Sequence, residues 1–156
     1  MELRLEDQVK FLGMVPAEDL RVLYRLAQFV VIPTLFEAAS GPIYEAWYDG
    51  TPVACSNVTS LPEQAGDAAL LFDPLSVEAI AAGVGEMATN PEVRESLRKR
   101  GERRLKDFSW ERTAKAYRAV YRRAAGHSLE EEDRWLLTWD WMRERKEQRA
   151  LAELAR

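Results

Sequence analysis

Two carboxylates, Glu37 and Glu45, bracket a run of small residues, Ala38-Ala39-Ser40-Gly41, which leads into Pro42. Seven residues separate the two acids. A carboxylate accepts two hydrogen bonds from a vicinal diol, so sugar and ribose hydroxyls are natural partners for this pair. Gly41-Pro42-Ile43 reads as a helix start, where free N–H groups and the positive dipole end form an anion site. The small side chains let a phosphate or sugar approach the main chain. Plainer roles fit the same residues: Glu45 as a partner of the helix dipole, Glu37 as a solvated loop acid. The residues alone leave both readings open.

The elements around them set where that chemistry would lie. Short apolar runs at Val9–Leu12, Phe29–Pro33, Thr51–Cys55 and Ala69–Phe72 read as strands. Phe29–Pro33 has no alternating polar residue, the pattern of a strand buried on both faces. Between them, Pro16–Leu20 opens a helix with Leu20, Leu23, Tyr24 and Ala27 on its apolar face. Pro42–Asp49 forms another, stopped by Gly50, and Pro62–Ala65 a single turn ended by Gly66. Later helices begin at Ser76, Pro91 and Ser109, the last with Gly126 at its end. Ser128-Leu129-Glu130-Glu131 has the form of a capping box, and the helix it opens is expected to run almost to Arg156. The expected fold is therefore α/β: a partial Rossmann-like parallel sheet of about four short strands, helices on both faces, and a long carboxyl-terminal helix. A boundary near Gly126 separates a domain over residues 1–126 from an amphipathic helix over 127–156. In open parallel sheets ligands bind beyond the carboxyl ends of the strands, and the loop from Thr34 to Gly41 lies there.

Composition narrows the function classes. The chain has 156 residues, 47% hydrophobic and 31% charged, as expected of a globular domain with a core. Its net charge of −4 argues against bulk attraction to nucleic acid. The single cysteine, Cys55, sits in an apolar run and reads as a small buried hydrophobe in a reducing compartment. No stretch reads as a leader or a membrane span, so the expected location is the cytoplasm, with peripheral contact at the inner membrane face as a variant. No His/Cys/Asp cluster has metal-ligand spacing, and neither metal nor cofactor is expected. His127, the only histidine, reads as a surface or capping residue. Arg94, Arg98, Lys99, Arg100, Arg103 and Arg104, interleaved with Glu92, Glu95 and Glu102, read as a solvated helix face, with contact to an anionic membrane or lipid-linked acceptor as the lesser reading. Trp135, Trp139 and Met142 share a helix face and Leu137 and Trp141 lie on another, a pattern of packing or a subunit interface.

Several stretches together resemble glycosyltransferase family 4. Pro33 to Ala46 is similar to that family's E-x7-E region, and Gly50-Thr51-Pro52-Val53-Ala54 follows it. Ser60-Leu61-Pro62-Glu63, Gly66 to Pro74, and Phe108-Ser109-Trp110 continue in the family's order. The resemblance covers about residues 8 to 125. It implies the donor-binding half of a GT-B fold, a nucleoside diphosphate sugar as substrate and hexosyl transfer with retention. It implies that Glu37 meets donor-sugar hydroxyls, that Glu45 meets the nucleotide ribose, and that amides around Ser40, Gly41 and Pro42 face the sugar and diphosphate. Ala38-Ala39 departs from the family, which often carries glycine with an aromatic there.

The same resemblance implies absences. Family members carry an acceptor domain and two earlier βα units, with an arginine and a lysine for the diphosphate. With a sheet order of 3-2-1-4-5-6, Val9–Leu12 would stand apart from Phe29–Ile32, leaving an apolar parallel edge. Self-association, or a partner chain supplying strands and the acceptor domain, is the expected consequence; a shift of Val9–Leu12 to lie beside Phe29–Ile32 is the other. A complete catalytic cycle from this chain alone is not expected. The alternative function is a non-catalytic interaction or assembly module that keeps the fold.

Overall fold

The computed structural model describes residues 5–140. They fall into two compact units that divide between Asp107 and Phe108. In the first unit, helix α1 (Ala17–Leu26) precedes strand β1 (Val30–Ile32), helix α2 (Gly41–Tyr48) and strand β2 (Val53–Ser56). Helix α3 (Leu61–Ala65), strand β3 (Ala69–Phe72), helix α4 (Val77–Thr89) and helix α5 (Pro91–Leu105) follow. The second unit holds helices α6 (Trp110–Ala124) and α7 (Glu131–Thr138).

The strands form one parallel sheet in the order β1-β2-β3. Val31 aligns with Ala54, and Ala54 with Leu70. Side chains alternate along a strand, so these three share a sheet face. There Ala54 and Phe72 join Met87 of α4 and Leu97 of α5 in a buried cluster. Val53 and Cys55 project to the other face and are fully buried too. Only β2, the central strand, is buried along its whole length.

Two sequence expectations change here. The described sheet has three strands, because Val9–Leu12 is not one of them. A strand needs a neighbour to take its backbone hydrogen bonds. Val9–Leu12 does not lie beside β1, whose only partner among the described residues is β2, and Phe11 is 97% exposed. For the same reason β1 is half-buried rather than buried on both faces: it is an edge strand.

Helix ends follow the local sequence closely. After α2, Gly50 takes φ of 79°, so its N–H reaches Trp47 C=O and the Thr51 N–H reaches Ala46 C=O. This closure satisfies two orphan carbonyls and requires left-handed backbone, which glycine adopts without a Cβ penalty. Gly126 ends α6 in the same way with φ of 71°. The backbone N–H of His127 completes that motif on Arg122 C=O, so the histidine serves as a capping residue. Ser76, Asn90 and Ser109 accept hydrogen bonds from first-turn amides of α4, α5 and α6.

Neighbouring helices are held by specific contacts. Asp49, with its side chain 3% exposed, takes Arg21 at 3.1 Å and Arg25 at 2.8 Å, which ties α1 to the end of α2. The Arg21 bond, opposed by desolvation and joined by Arg25, holds the Asp49 carboxyl below its ordinary pKa. Trp47 of α2 lies on Gly101 of α5, where an added Cβ would come within 2.4 Å of the indole. That contact allows only glycine at 101.

The basic stretch of α5 is a solvated face only in part. Arg98 and Lys99 pair with Glu95 on the surface. Arg94 instead donates to Met87 and Ala88 C=O at the end of α4, and Arg100 to Asp67 C=O. Arg104 is 1% exposed. Helix ends leave carbonyls without intrahelical partners, and a guanidinium fork satisfies them well.

In the second unit α7 is clamped to α6. Its cap is Glu130 rather than Ser128: Glu130 and Asp133 form the reciprocal box, two residues later than the sequence pattern suggests. Asp133 is fully buried and accepts from Arg118 at 2.9 Å and Arg122 at 2.7 Å. α7 ends at Thr138, and Trp139 takes extended backbone. Trp135 and Trp139 stack at 5.7 Å, with Arg112 over the Trp139 ring at 4.5 Å. Trp141, Met142 and the expected helix toward Arg156 lie outside the described residues.

The Arg122 bond is the main reason the Asp133 carboxyl is held down to about 2; burial opposes it, and the Glu130 amide and Arg118 add to it. Its folded value lies below the ordinary value of about 3.9. The contribution of Asp133 is therefore complete above about pH 4 and is lost as pH falls through the folded value. Acid titration followed by tryptophan fluorescence should report α7 loosening between about pH 4 and 2. Asp133→Asn should show the loosened signal already at neutral pH. A wild-type signal that is flat across that window would contradict the clamp.

Candidate functional site

The residues singled out from the sequence lie at the carboxyl ends of β1 and β2. Beyond Ile32 the chain runs through residues 33–40 into α2, whose N-cap is Ser40. Beyond Ser56 it runs through Asn57–Ser60 into α3. Ser56 Oγ donates to Ile32 C=O at 3.2 Å, so the two strand ends are linked before the loops diverge.

The Glu37 main chain is held by the second loop. Thr59 Oγ1 accepts from the Glu37 N–H at 3.2 Å and donates to the Glu37 C=O at 2.5 Å; Ser60 Oγ donates to the same carbonyl at 3.0 Å. Thr59 has φ of 49°, the left-handed region, which a β-branched residue adopts only where its surroundings impose it. The paired bonds to Glu37 supply that imposition. The Glu37 side chain is half-buried, while Ala38 and Ala39 are exposed.

Ser40 is fully buried, and its main chain is matched by a side chain. Its N–H donates to Gln64 Oε1 at 2.9 Å, and its C=O accepts from Gln64 Nε2 at 2.7 Å. Gln64 thus imitates a neighbouring strand. Arg104 holds α3 from behind, with Nε on Gln64 C=O at 2.9 Å and Nη2 on Glu63 C=O at 2.7 Å. Its Nη1 pairs with Asp107 at 2.7 Å. A side-chain relay from α5 through α3 therefore fixes where α2 begins.

At that beginning the Ser40 N–H is already used, and Pro42 has none. Gly41 and Ile43 carry the first-turn N–H groups that no intrahelical carbonyl can satisfy. Ser40 Oγ is buried without a protein partner. Glu45 folds back along the helix, its Oε1 3.9 Å from where a Cβ on Gly41 would sit. Its Oε2 accepts from Tyr24 OH at 3.0 Å. Burial first, and then the Glu45 carboxylate, push the Tyr24 hydroxyl up to about 12, so it remains a donor.

The geometry brings Ser40, Gly41, Pro42 and Glu45 together around one helix turn, and anchors the Glu37 backbone on the neighbouring loop. Thr59, Gln64, Arg104 and Tyr24 were not read as site residues. Tyr24 carried no distinguishing signal within an apolar helix face, and Arg104 was indistinguishable from its charged neighbours. Cys55 is fully buried, and burial pushes its thiol up to about 12, as suits an inert packing residue. Among the described residues no cluster of three or more His, Cys, Asp or Glu could hold a metal ion.

The profile described as "Glycosyl transferases group 1" matches residues 1–104. The chain belongs to this family. An O-antigen chain mannosyltransferase B of Escherichia coli is 44% identical over 119 residues, which cover 74% of this chain and 31% of that protein. An MMP alpha-(1->4)-mannosyltransferase of Mycolicibacterium hassiacum is 34% identical over 127 residues, covering 79% and 31%. A sucrose-phosphate synthase from Thermosynechococcus elongatus superposes with a TM-score of 0.71 at 31% identity, covering 80% of this chain and 32% of its own. The glycosyl transferases group 1 domain seen here thus has a GT-B relative in structure, and the chain spans about a third of the length of the curated relatives it matches. No helix among the described residues is long and apolar enough to cross a membrane.

The Gln64–Ser40 pair gives a direct prediction. Gln64→Ala leaves a buried N–H and a buried C=O unpaired. Urea denaturation should show a loss of about 2–4 kcal/mol. A loss under about 0.5 kcal/mol, the scale of an ordinary surface substitution, would show that the pair does not hold the loop.

Proposed function

We propose that residues 33–45 form one wall of a nucleoside diphosphate sugar site, in the donor-binding half of a retaining hexosyltransferase like those of glycosyltransferase family 4. The observation that carries this reading is the position of the Glu45 carboxylate beside the first turn of α2, 3.9 Å from the Cβ position of Gly41. Ribose and diphosphate are covalent neighbours, so their binding groups should be neighbours too. A carboxylate suits the ribose diol, and the exposed first-turn backbone at Gly41 suits the diphosphate. In this reading Glu37 meets hydroxyls of the transferred sugar from a loop whose main chain is already fixed. The names of the two mannosyltransferase relatives make mannose the first sugar to test.

Titration of the chain with UDP, GDP and their glucose and mannose conjugates tests the reading by calorimetry. At least one of them should bind. Glu45→Ala should weaken that binding by about 30- to 150-fold, the loss of charge-assisted hydrogen bonds worth about 2–3 kcal/mol. Absence of binding by all of them would reject the donor site and favour a non-catalytic assembly module.

One observation bears on assembly in either case. The outer edge of β1 has no ladder partner among the described residues, and Phe11 and Met14 are 97% and 101% exposed. An apolar parallel edge invites pairing, so association with a second copy or with further polypeptide is the expected state. Sedimentation should show a concentration-dependent increase in mass. A monomer at the highest attainable concentration would reject self-association.

A further inference from the structure

Of the two carboxylates of the site, Glu45 has its side chain held by another of the described residues. A glutamate on an open helix turn samples several rotamers, and losing them on binding subtracts from affinity. Here the Tyr24 hydroxyl, 3.0 Å from Oε2, selects one arrangement before any ligand arrives. The Tyr24 ring is 8% exposed, so the hydroxyl cannot move far to follow the carboxylate. Its backbone is fixed as well: Thr51 Oγ1 donates to Tyr24 C=O at 2.6 Å, from the turn that ends α2. One turn before it and directly after it, Arg21 and Arg25 lock α1 to Asp49. Helix α1 thus holds α2 at Glu45 in its second turn and at Asp49 at its carboxyl-terminal cap, and Tyr24 is the contact nearer the site.

We propose that Tyr24 is a positioning residue for ribose recognition: its hydroxyl, held by α1, aims the Glu45 carboxylate so that the remaining oxygen lone pairs meet a vicinal diol beside the first turn of α2. The proposal rests on the reading of Glu45 as the ribose acceptor. Tyr24 touches Glu45 and need not touch the nucleotide. The bond uses one lone pair of Oε2, and Oε1 stays on the side facing Gly41. About three of the four acceptor sites are thereby left, enough for two neighbouring hydroxyls. Raised to about 12, the tyrosine keeps its proton across the ordinary pH range and remains the donor.

The experiment compares UDP and GDP with their 2′,3′-dideoxy forms on the full chain, for wild type, Tyr24→Phe, Glu45→Ala and the double variant. Wild type should prefer the ribonucleotide. Tyr24→Phe should reduce that preference by about tenfold, the size of one hydrogen bond to a charged group, and leave dideoxy affinity within about twofold. On the Glu45→Ala background Tyr24→Phe should have no further effect on the preference. Phenylalanine keeps the buried ring, and a thermal melt alongside checks the fold. If Tyr24→Phe lowers ribo and dideoxy affinity together, the residue is merely structural and the proposal falls. A wild type that binds nucleotide without preferring ribose overturns it through the role of Glu45; a wild type that binds none overturns the donor-site reading itself.

Discussion

The pairing of Gln64 with the main chain of Ser40 is the constraint on which the site depends. Residues 33–40 leave the sheet at β1 and must deliver the first turn of α2 to a defined place. Buried backbone groups cannot stay unpaired, and a loop has no ladder to pair them. Gln64 meets both groups of Ser40 with one amide. Arg104 then fixes the stretch that carries Gln64 by capping α3 from α5. Thr59 and Ser60 do the same for Glu37 one step earlier in the chain. Loop position is therefore set by side chains from three later elements, and the sheet contributes only the starting point.

The architecture was largely legible because its signals are local. β2 and β3 read as short strands, and helix starts at Ser76, Pro91 and Ser109 follow from residue type and position. Gly50 and Gly126 announced helix ends that need left-handed backbone. What was not legible depends on neighbours. Val9–Leu12 has strand composition but no strand beside it, and β1 has a core sequence at an edge position. The acids Glu130, Glu131 and Glu132 offer several capping registers, and the arginines of α6 decide among them by burying Asp133.

The candidate site divides along the same line. Glu37, Ser40, Gly41, Pro42 and Glu45 could be named because the chemistry they suit is a property of residue type and order along one segment. Gln64, Thr59, Arg104 and Tyr24 act across 21 to 40 residues of chain, where order carries no information. Arg104 shows the limit most plainly. It sits in an interleaved run of charges, yet it alone of that run is fully buried, because α3 ends in carbonyls directly before it.

The two glutamates are held in different ways, and the difference bears on how the proposed site would discriminate. Glu37 is anchored by its backbone, with no hydrogen bond from the described residues fixing its carboxylate. Glu45 is anchored by its carboxylate, through Tyr24. A group fixed before binding contributes affinity without losing rotamer freedom, whereas a group left free adapts to what arrives. On the proposed reading the rigid acid faces the ribose, which UDP and GDP donors share, and the adaptable acid faces the sugar, which varies. Exposed Ala38 and Ala39 next to Glu37 add no side chain that would restrict the sugar further. Sugar choice at this wall then depends on the path of the main chain from Glu37 to Ser40, and that path is set by Thr59 at one end and Gln64 at the other.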